Sequence, residues 1–187
     1  MIETARLRLR QWRDCDLQAY GRINADKRVM RYFPACLSQH ESNQQAQTIA
    51  AHIEQHGWGF WALELKQTGE FIGFVGLWPQ AKESGLPRAP MVEIGWRIDA
   101  DHWGQGYAPE AAQAALSYGF NQVELEQIYS FTALSNLPSQ RVMSKIGMQN
   151  TDEVFDHPKL PQGHPLQRHC LYCITRQQWQ TAPAAAR

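Results

Sequence analysis

The residues best suited to chemistry lie in one stretch of the 187-residue sequence, Glu93-Ile-Gly-Trp-Arg-Ile-Asp-Ala-Asp-His-Trp-Gly-Gln-Gly-Tyr-Ala-Pro-Glu-Ala111. A strand-like run leads into Trp103-Gly-Gln-Gly-Tyr-Ala108 and then into a helix. Gly104 and Gly106 remove side-chain bulk where the backbone turns. The first N–H groups of a helix have no intrahelical partner, so residues 104–108 make a ready anion site. Pro109 is tolerated in the first helical turn, where its missing N–H would be unpaired anyway. An ordinary strand-to-helix turn uses the same residues, and that plainer reading stands beside the anion site. Other phosphate motifs fit worse. The dinucleotide-binding pattern needs a third Gly where Pro109 stands, and no Gly-x4-Gly-Lys-Ser/Thr occurs.

Glu93 is the candidate general base. Strand alternation sets Val92, Ile94, Trp96 and Ile98 on one face and Glu93, Gly95 and Arg97 on the other. Gly95 is expected to leave open space beside the carboxylate. The competing reading is a Glu93–Arg97 pair of structural value alone. His52 and His56 are spaced i, i+4 on a helix without further ligands at metal spacing, so they read as a solvated face. Cys170-Leu-Tyr-Cys173 has the Cys-x-x-Cys form, but in a strand residues three apart face opposite sides, which argues against metal or redox use. The loop Asp156-His-Pro-Lys-Leu-Pro-Gln-Gly-His-Pro165 either lines an acceptor pocket or is plain surface.

The elements that must position these residues alternate between strand and helix patterns. Residues 5–12 alternate Leu with Arg and read as a half-exposed strand, and 14–24 as a helix with Asp14 as N-cap. Ser38 and Glu41 form a capping box for a helix over 38–56 that Gly57 ends. Runs at 58–66, 71–78 and 91–99 predict an antiparallel meander. The Pro-rich connection 79–90 is a surface loop and a candidate lid. Residues 107–120 read as a helix and 127–134 as a strand. A helix over 136–146 should turn Val142 and Ile146 to the sheet. A strand near 168–176 closes the pattern, and 181–187 read as a frayed tail. The fold class is α/β (α+β, mixed sheet) with helices on both faces, in one domain over residues 1–180.

Composition narrows the function. Eighteen Lys and Arg balance eighteen Asp and Glu, which disfavours nucleic acid or membrane held by bulk charge. The apolar run Phe71-Ile-Gly-Phe-Val-Gly-Leu-Trp78 falls far short of the ~18 residues that span a bilayer. The N-terminal residues carry charge where a signal peptide would be apolar, so a cytoplasmic location with four reduced Cys is expected.

Two blocks carry a resemblance to a known family. Trp103-Gly-Gln-Gly-Tyr-Ala108 resembles the acyl-CoA signature of the Gcn5-related N-acetyltransferases (GNAT superfamily). Asn136-Leu-Pro-Ser-Gln-Arg-Val-Met-Ser-Lys-Ile-Gly-Met148 is similar to the family's Asn-x-x-Ser…Gly-Phe helix. Thr4-Ala-Arg-Leu-Arg-Leu-Arg10 and the hairpin at 58–78 resemble the branch related to the ribosomal-protein N-acetyltransferases. The likeness spans about residues 3–179. It implies a three-layer fold whose mostly antiparallel sheet contains one splayed parallel pair. It also implies acetyl-CoA as co-substrate, no metal and an amine acceptor, either a protein N-terminus or a small molecule; a homodimer is compatible with it.

By the same resemblance, amides of Gly104, Gln105, Gly106, Tyr107 and Ala108 would hold the pyrophosphate, and Trp96 and Ile98 would pair with the pantetheine arm. Asn136 and Ser139 would reach the cofactor, with a helix N-cap as the plainer role for Asn136 and an exposed helix position for Ser139. The chain departs from the pattern at Trp103, where Gln or Arg is usual, so no side-chain phosphate contact is expected there. It departs again at Met143, where many members carry the Tyr that protonates the leaving thiolate; Ser139 or water is the substitute.

Direct transfer in a ternary complex needs a neutral amine. A lysine of pKa ~10.4 is neutral in roughly one molecule of 2,500 at pH 7, an α-amine near 7.8 in roughly one of seven. An α-amine therefore asks less of the base. A non-catalytic acyl-CoA sensor, raised by Met143, is the alternative. A nucleotide-dependent oxidoreductase is disfavoured by the failed glycine pattern.

Overall fold

The protein is described here from a computed structural model, over residues 1–181. The residues around the candidate base sit in an eight-stranded sheet of order β1-β2-β3-β4-β5-β6-β8-β7. In chain order the elements are β1 (Ile2–Glu3), β2 (Leu7–Arg10), α1 (Asp16–Ala25), α2 (Gln39–His56), β3 (Phe60–Leu65), β4 (Phe71–Gln80), β5 (Met91–Ile98), α3 (Tyr107–Asn121), β6 (Gln127–Ala133), α4 (Leu137–Lys145), β7 (Gln149–Asp156), β8 (Arg168–Thr175) and α5 (Arg176–Thr181). Neighbouring strands are antiparallel except β5 and β6, which meet in parallel at Glu93 and Tyr129.

Local sequence explains most elements. The expected capping box forms at α2, with Ser38 and Glu41 each accepting from the other's backbone, and Gly57 ends the helix at φ 79°. Helix α3 buries a stripe of small residues, Ala111, Ala112, Ala115 and Gly119. A Cβ on Gly119 would lie 2.8 Å from Ile128 and 2.9 Å from Leu77, so glycine lets the helix seat directly on the sheet. On the opposite face Tyr20 of α1 packs edge-on against Phe71 and Phe74.

Several expectations are corrected. Asp14 is not the α1 N-cap: Cys15 is, without a side-chain bond, and Asp16 instead accepts from the Arg13 N–H at 2.8 Å. Pro79 and Gln80 belong to β4, so the loop is shorter than 79–90. The buried residues of the fourth-helix segment are Met143 and Ile146, whereas Val142 is only partly covered. Strand β7 and helix α5 were not expected. The run Gln-Asn-Thr-Asp-Glu lacks apolar alternation because β7 is an edge strand, and its register with β8 breaks between Asn150 and Val154. Of the frayed-tail expectation, Thr181 closes α5 and the rest lies outside the described residues.

The first strand is tied to α1 by charge as well as by packing. The Arg10 guanidinium is 4% exposed and bonds Asp16 at 2.7 and 2.9 Å and Glu64 at 2.6 Å. Removing one member leaves buried charge without its partner. Arg10→Met is expected to cost about 3–5 kcal/mol in urea unfolding. A loss under ~1 kcal/mol would mean that Arg8 and Arg13, which also reach Glu64, suffice on their own.

Candidate active site

Past the Glu93–Tyr129 rung the parallel strands share no further pairing. Ser130 Oγ donates to Ile94 O at 2.9 Å, and beyond it β5 stays bonded to β4 alone, as Gly95, Trp96, Arg97 and Ile98 pair with Gly76, Val75, Phe74 and Gly73. The other backbone edge of residues 95–98 is left to be completed by an extended polar chain, as a peptide completes an open sheet. Both loops that leave the carboxyl ends of this pair carry the predicted binding residues. Trp96 is partly buried and Ile98 buried.

After β5 the chain makes a short turn and the indole N–H of Trp103 donates to Ile98 O at 2.9 Å, leaving the ring 51% exposed. Gly104 and Gly106 have φ 77° and 80°, a region costly for other residues. Gly106 caps α3 without a side chain, and Tyr107 and Ala108 begin the helix, so their N–H groups have no partner in it. This turn is braced from the first strand. The Arg6 guanidinium donates to Gln105 O at 2.9 Å, bonds Glu110 at 2.6 and 2.7 Å, and lies 4.6 Å over the Tyr107 ring. Thr4 Oγ1 donates to the same carboxylate at 2.6 Å. The alternating Arg residues were visible in the sequence, but not that Arg6 reaches the glycine turn.

After β6, Asn136 caps α4: its Oδ1 accepts from the Ser139 N–H at 3.3 Å and its Nδ2 donates to Thr132 at 2.9 Å. Ser139 is partly buried in the first turn, and Met143, 1% exposed, points into the core. An acyl-CoA fits these features: amides at two loop ends and an unfilled strand edge between them.

Glu93 faces the side of the sheet covered by α1 and α2, beside Trp78 of β4. Its Oε1 accepts from Gln80 Nε2 at 3.1 Å. Burial pushes its carboxyl up to about 7, against the opposing pull of the Gln80 bond and the Lys159 charge. The Glu93–Arg97 pair does not form. Arg97 instead bonds Asn24 at 2.7 Å, Gln45 at 3.1 Å and Tyr20 at 3.3 Å, and lies 4.2 Å from the Phe33 ring. The space expected at Gly95 is taken by Phe60, 3.2 Å from where a Cβ would stand. Gln80 and Tyr129 also line a cleft of about 490 Å³ at the amino ends of β5 and β6.

The remaining chemistry-bearing side chains fall in place around this centre. His52 is not solvated: it packs 4.5 Å from Trp78, and burial lowers its pKa, whereas His56 is exposed. Cys170 and Cys173 are free thiols on opposite faces of β8. Among the described residues no group of three or more His, Cys, Asp or Glu is placed to hold a metal ion. His157 and His169, which local patterning did not pair, stand 4.8 Å apart beside Phe131 and Phe155.

Fold and site together are those of an acyl-CoA-dependent N-acetyltransferase, whose acyl donor is acetyl-CoA. The chain belongs to the GNAT family: residues 6–149 match its acetyltransferase domain. It is 35% identical over 148 residues to the uncharacterized protein YkkB of Bacillus subtilis, covering 79% of this chain and 84% of that one. It is 30% identical to the uncharacterized N-acetyltransferase YnaD of the same organism, over 95% and 98% of the two chains. A GNAT-family acetyltransferase from Bacillus anthracis superposes with TM-score 0.78 at 27% identity, over 94% and 98% of the chains. RimJ of Mycobacterium smegmatis, solved with CoA-disulfide, shares the fold at TM-score 0.73 and 21% identity, over 96% and 86%.

The two imidazoles carry a stability consequence. Burial, then His169 and Lys159, lowers His157 from 6.5 to about 4, and burial lowers His169 as well. As pH falls from about 6.5 toward 4, the unfolded chain takes up the proton first, so stability present above 6.5 is progressively lost. Urea unfolding at pH 7.5, 6 and 5 should show this fall, and His157→Gln should flatten it. Parallel slopes for both proteins would exclude His157 as its source.

Proposed function

We propose that the chain transfers the acetyl group of acetyl-CoA to a primary amine by direct attack in a ternary complex, with Glu93 as general base. The amine nitrogen attacks the thioester carbonyl, the C–S bond breaks, and the nitrogen's proton passes to Glu93. The departing thiolate takes a proton from Ser139 or from water, because Met143 has no proton to give and lies in the core. Backbone N–H groups of the open β5 edge polarise the carbonyl where charge develops. The pyrophosphate rests on amides of residues 104–108, while Asn136 and Ser139 flank the cofactor from the α4 side.

The observation that carries this reading is the environment of Glu93. It is a partly buried carboxyl at the last rung before the strands part, bonded by a neutral amide, with its pKa raised to about 7. A base poised near the working pH suits an amine, and a module that merely binds cofactor has no need of it. The same value favours an acceptor of α-amine acidity over an unassisted lysine. The N-terminal Arg-rich strand supports the branch related to ribosomal-protein N-acetyltransferases.

Two measurements test these roles. In wild-type protein kcat should rise with pH through a limb near 7; Glu93→Gln should remove that limb and lower kcat by roughly 10²–10⁴. A limb retained in the variant would take Glu93 out of the proton transfer. Arg6→Ala should weaken acetyl-CoA binding about tenfold, equivalent to about 1.4 kcal/mol, with kcat at saturating cofactor falling far less. An unchanged KM for acetyl-CoA would show that the glycine turn holds its shape without Arg6.

A further inference from the structure

The sheet face that carries Glu93 is covered by α1 and α2 over one half and by loops over the other. By register, Glu93 opposite Tyr129 sets Tyr129, Phe131, Leu171, His169 and Phe155 on that same face. Phe131 lies two residues beyond the Glu93–Tyr129 rung, so its backbone stands at least about 8 Å from that of Glu93. Phe131 is one of four rings in mutual contact. Its centroid lies 6.1 Å from Phe155, 5.9 Å from His157 and 6.2 Å from His169. Phe131, Phe155 and His157 keep part of their surface in solvent. His169 is carried by β8 and His157 by the loop that follows β7, where Pro158 approaches Gly85 of the 79–90 connection.

Charge on this face is mixed: Arg88 pairs with Glu153 at 3.0 Å, and both act on Tyr129. Lys159 bears on Glu93 from the loop that follows β7, and Arg97, 7% exposed, has no carboxylate partner among the described residues. Both imidazoles are neutral at pH 7, because burial lowers their pKa values. The face beside the base therefore offers unsaturated rings, with the Lys159 charge bearing on the carboxyl. A second cation on the acceptor would meet Lys159, while an aromatic ring would stack on the part of the ring surface left in solvent.

We infer that the acceptor is a monoamine whose nitrogen lies two or three bonds from an aromatic ring, the ring resting on Phe131, Phe155 and His157 while the nitrogen reaches Glu93. This rests on the acetyl-transfer reading above. The shared chemistry comes either from a small arylalkylamine or from a peptide with an aromatic N-terminal residue.

The test compares kcat/KM at saturating acetyl-CoA for 2-phenylethylamine, n-butylamine, spermidine, and tripeptides beginning with Phe or Ala. The aromatic member of each pair should be preferred at least tenfold, and spermidine should be the poorest small amine. Preference confined to the small amines or to the peptides tells the two sources apart. Phe131→Ala, and separately the loop variant His157→Ala, should shrink the aromatic-to-aliphatic ratio to under threefold, each checked for retained acetyl-CoA binding. Turnover of spermidine or butylamine equal to that of 2-phenylethylamine would overturn the inference while leaving acetyl transfer intact. If no amine is acetylated, calorimetry on the protein loaded with acetyl-CoA decides: binding of 2-phenylethylamine at least tenfold tighter than butylamine sustains the aromatic subsite, and equal binding removes it.

Discussion

The rest of the structure is arranged around the point where two parallel strands stop bonding to each other. A sheet interior normally pairs every N–H and C=O, because an unpaired buried group costs as much as a lost hydrogen bond. Here β5 keeps its partner on one side and loses it on the other after a single rung at Glu93 and Tyr129. The opening is tolerable only if something polar and extended completes the edge. A pantetheine arm with its amides meets that requirement, and anion-binding turns follow at the carboxyl end where such an arm would emerge. Ligand sites at the carboxyl ends of parallel strands are the general outcome of this topology.

The same break explains why Glu93 is partly buried and still chemically available. It stands on the last paired residue, so its backbone is rigid while the strand beyond it is free to meet a ligand. Its carboxyl is held by the amide of Gln80, which tolerates either protonation state, whereas an arginine at that spot would lock the carboxylate in its charged form. Arg97, on the same face four residues along the strand, is bonded instead to Tyr20, Asn24 and Gln45.

What local sequence could reveal divides along the same line. The capping box at Ser38, the left-handed Gly57, the glycine turn at 104–106 and the apolar strands depend on neighbours within a few residues, and they were legible. Strand β7 was not, because an edge strand needs no apolar face and takes its order from β8. The space beside Gly95 was misjudged for a related reason: alternation places the glycine on a face but says nothing of Phe60, which arrives from β3 to fill it. Gln80 and Lys159 around Glu93 are likewise contributions of distant segments, and Gln80 stood in what read as a loop.

The balanced charge of the chain acquires a meaning from this arrangement. With net charge zero, no general field draws an anionic cofactor or a cationic amine, so each must be recognised by local groups. On the side proposed for the cofactor, the N–H groups that open α3 are available, while the charge of Arg6 is spent largely on Glu110 and on the carbonyl of Gln105. On the side proposed for the acceptor, Lys159 bears on the Glu93 carboxyl, whose pKa burial raises to about 7. A face so composed attracts an amine weakly by charge and must hold it by contact area instead. That gives the ring cluster across β6, β7 and β8 a use beyond a satellite core: together with Phe60 and Trp78, stacked at 5.4 Å beside Glu93, it supplies unsaturated surface on the face that carries the carboxyl.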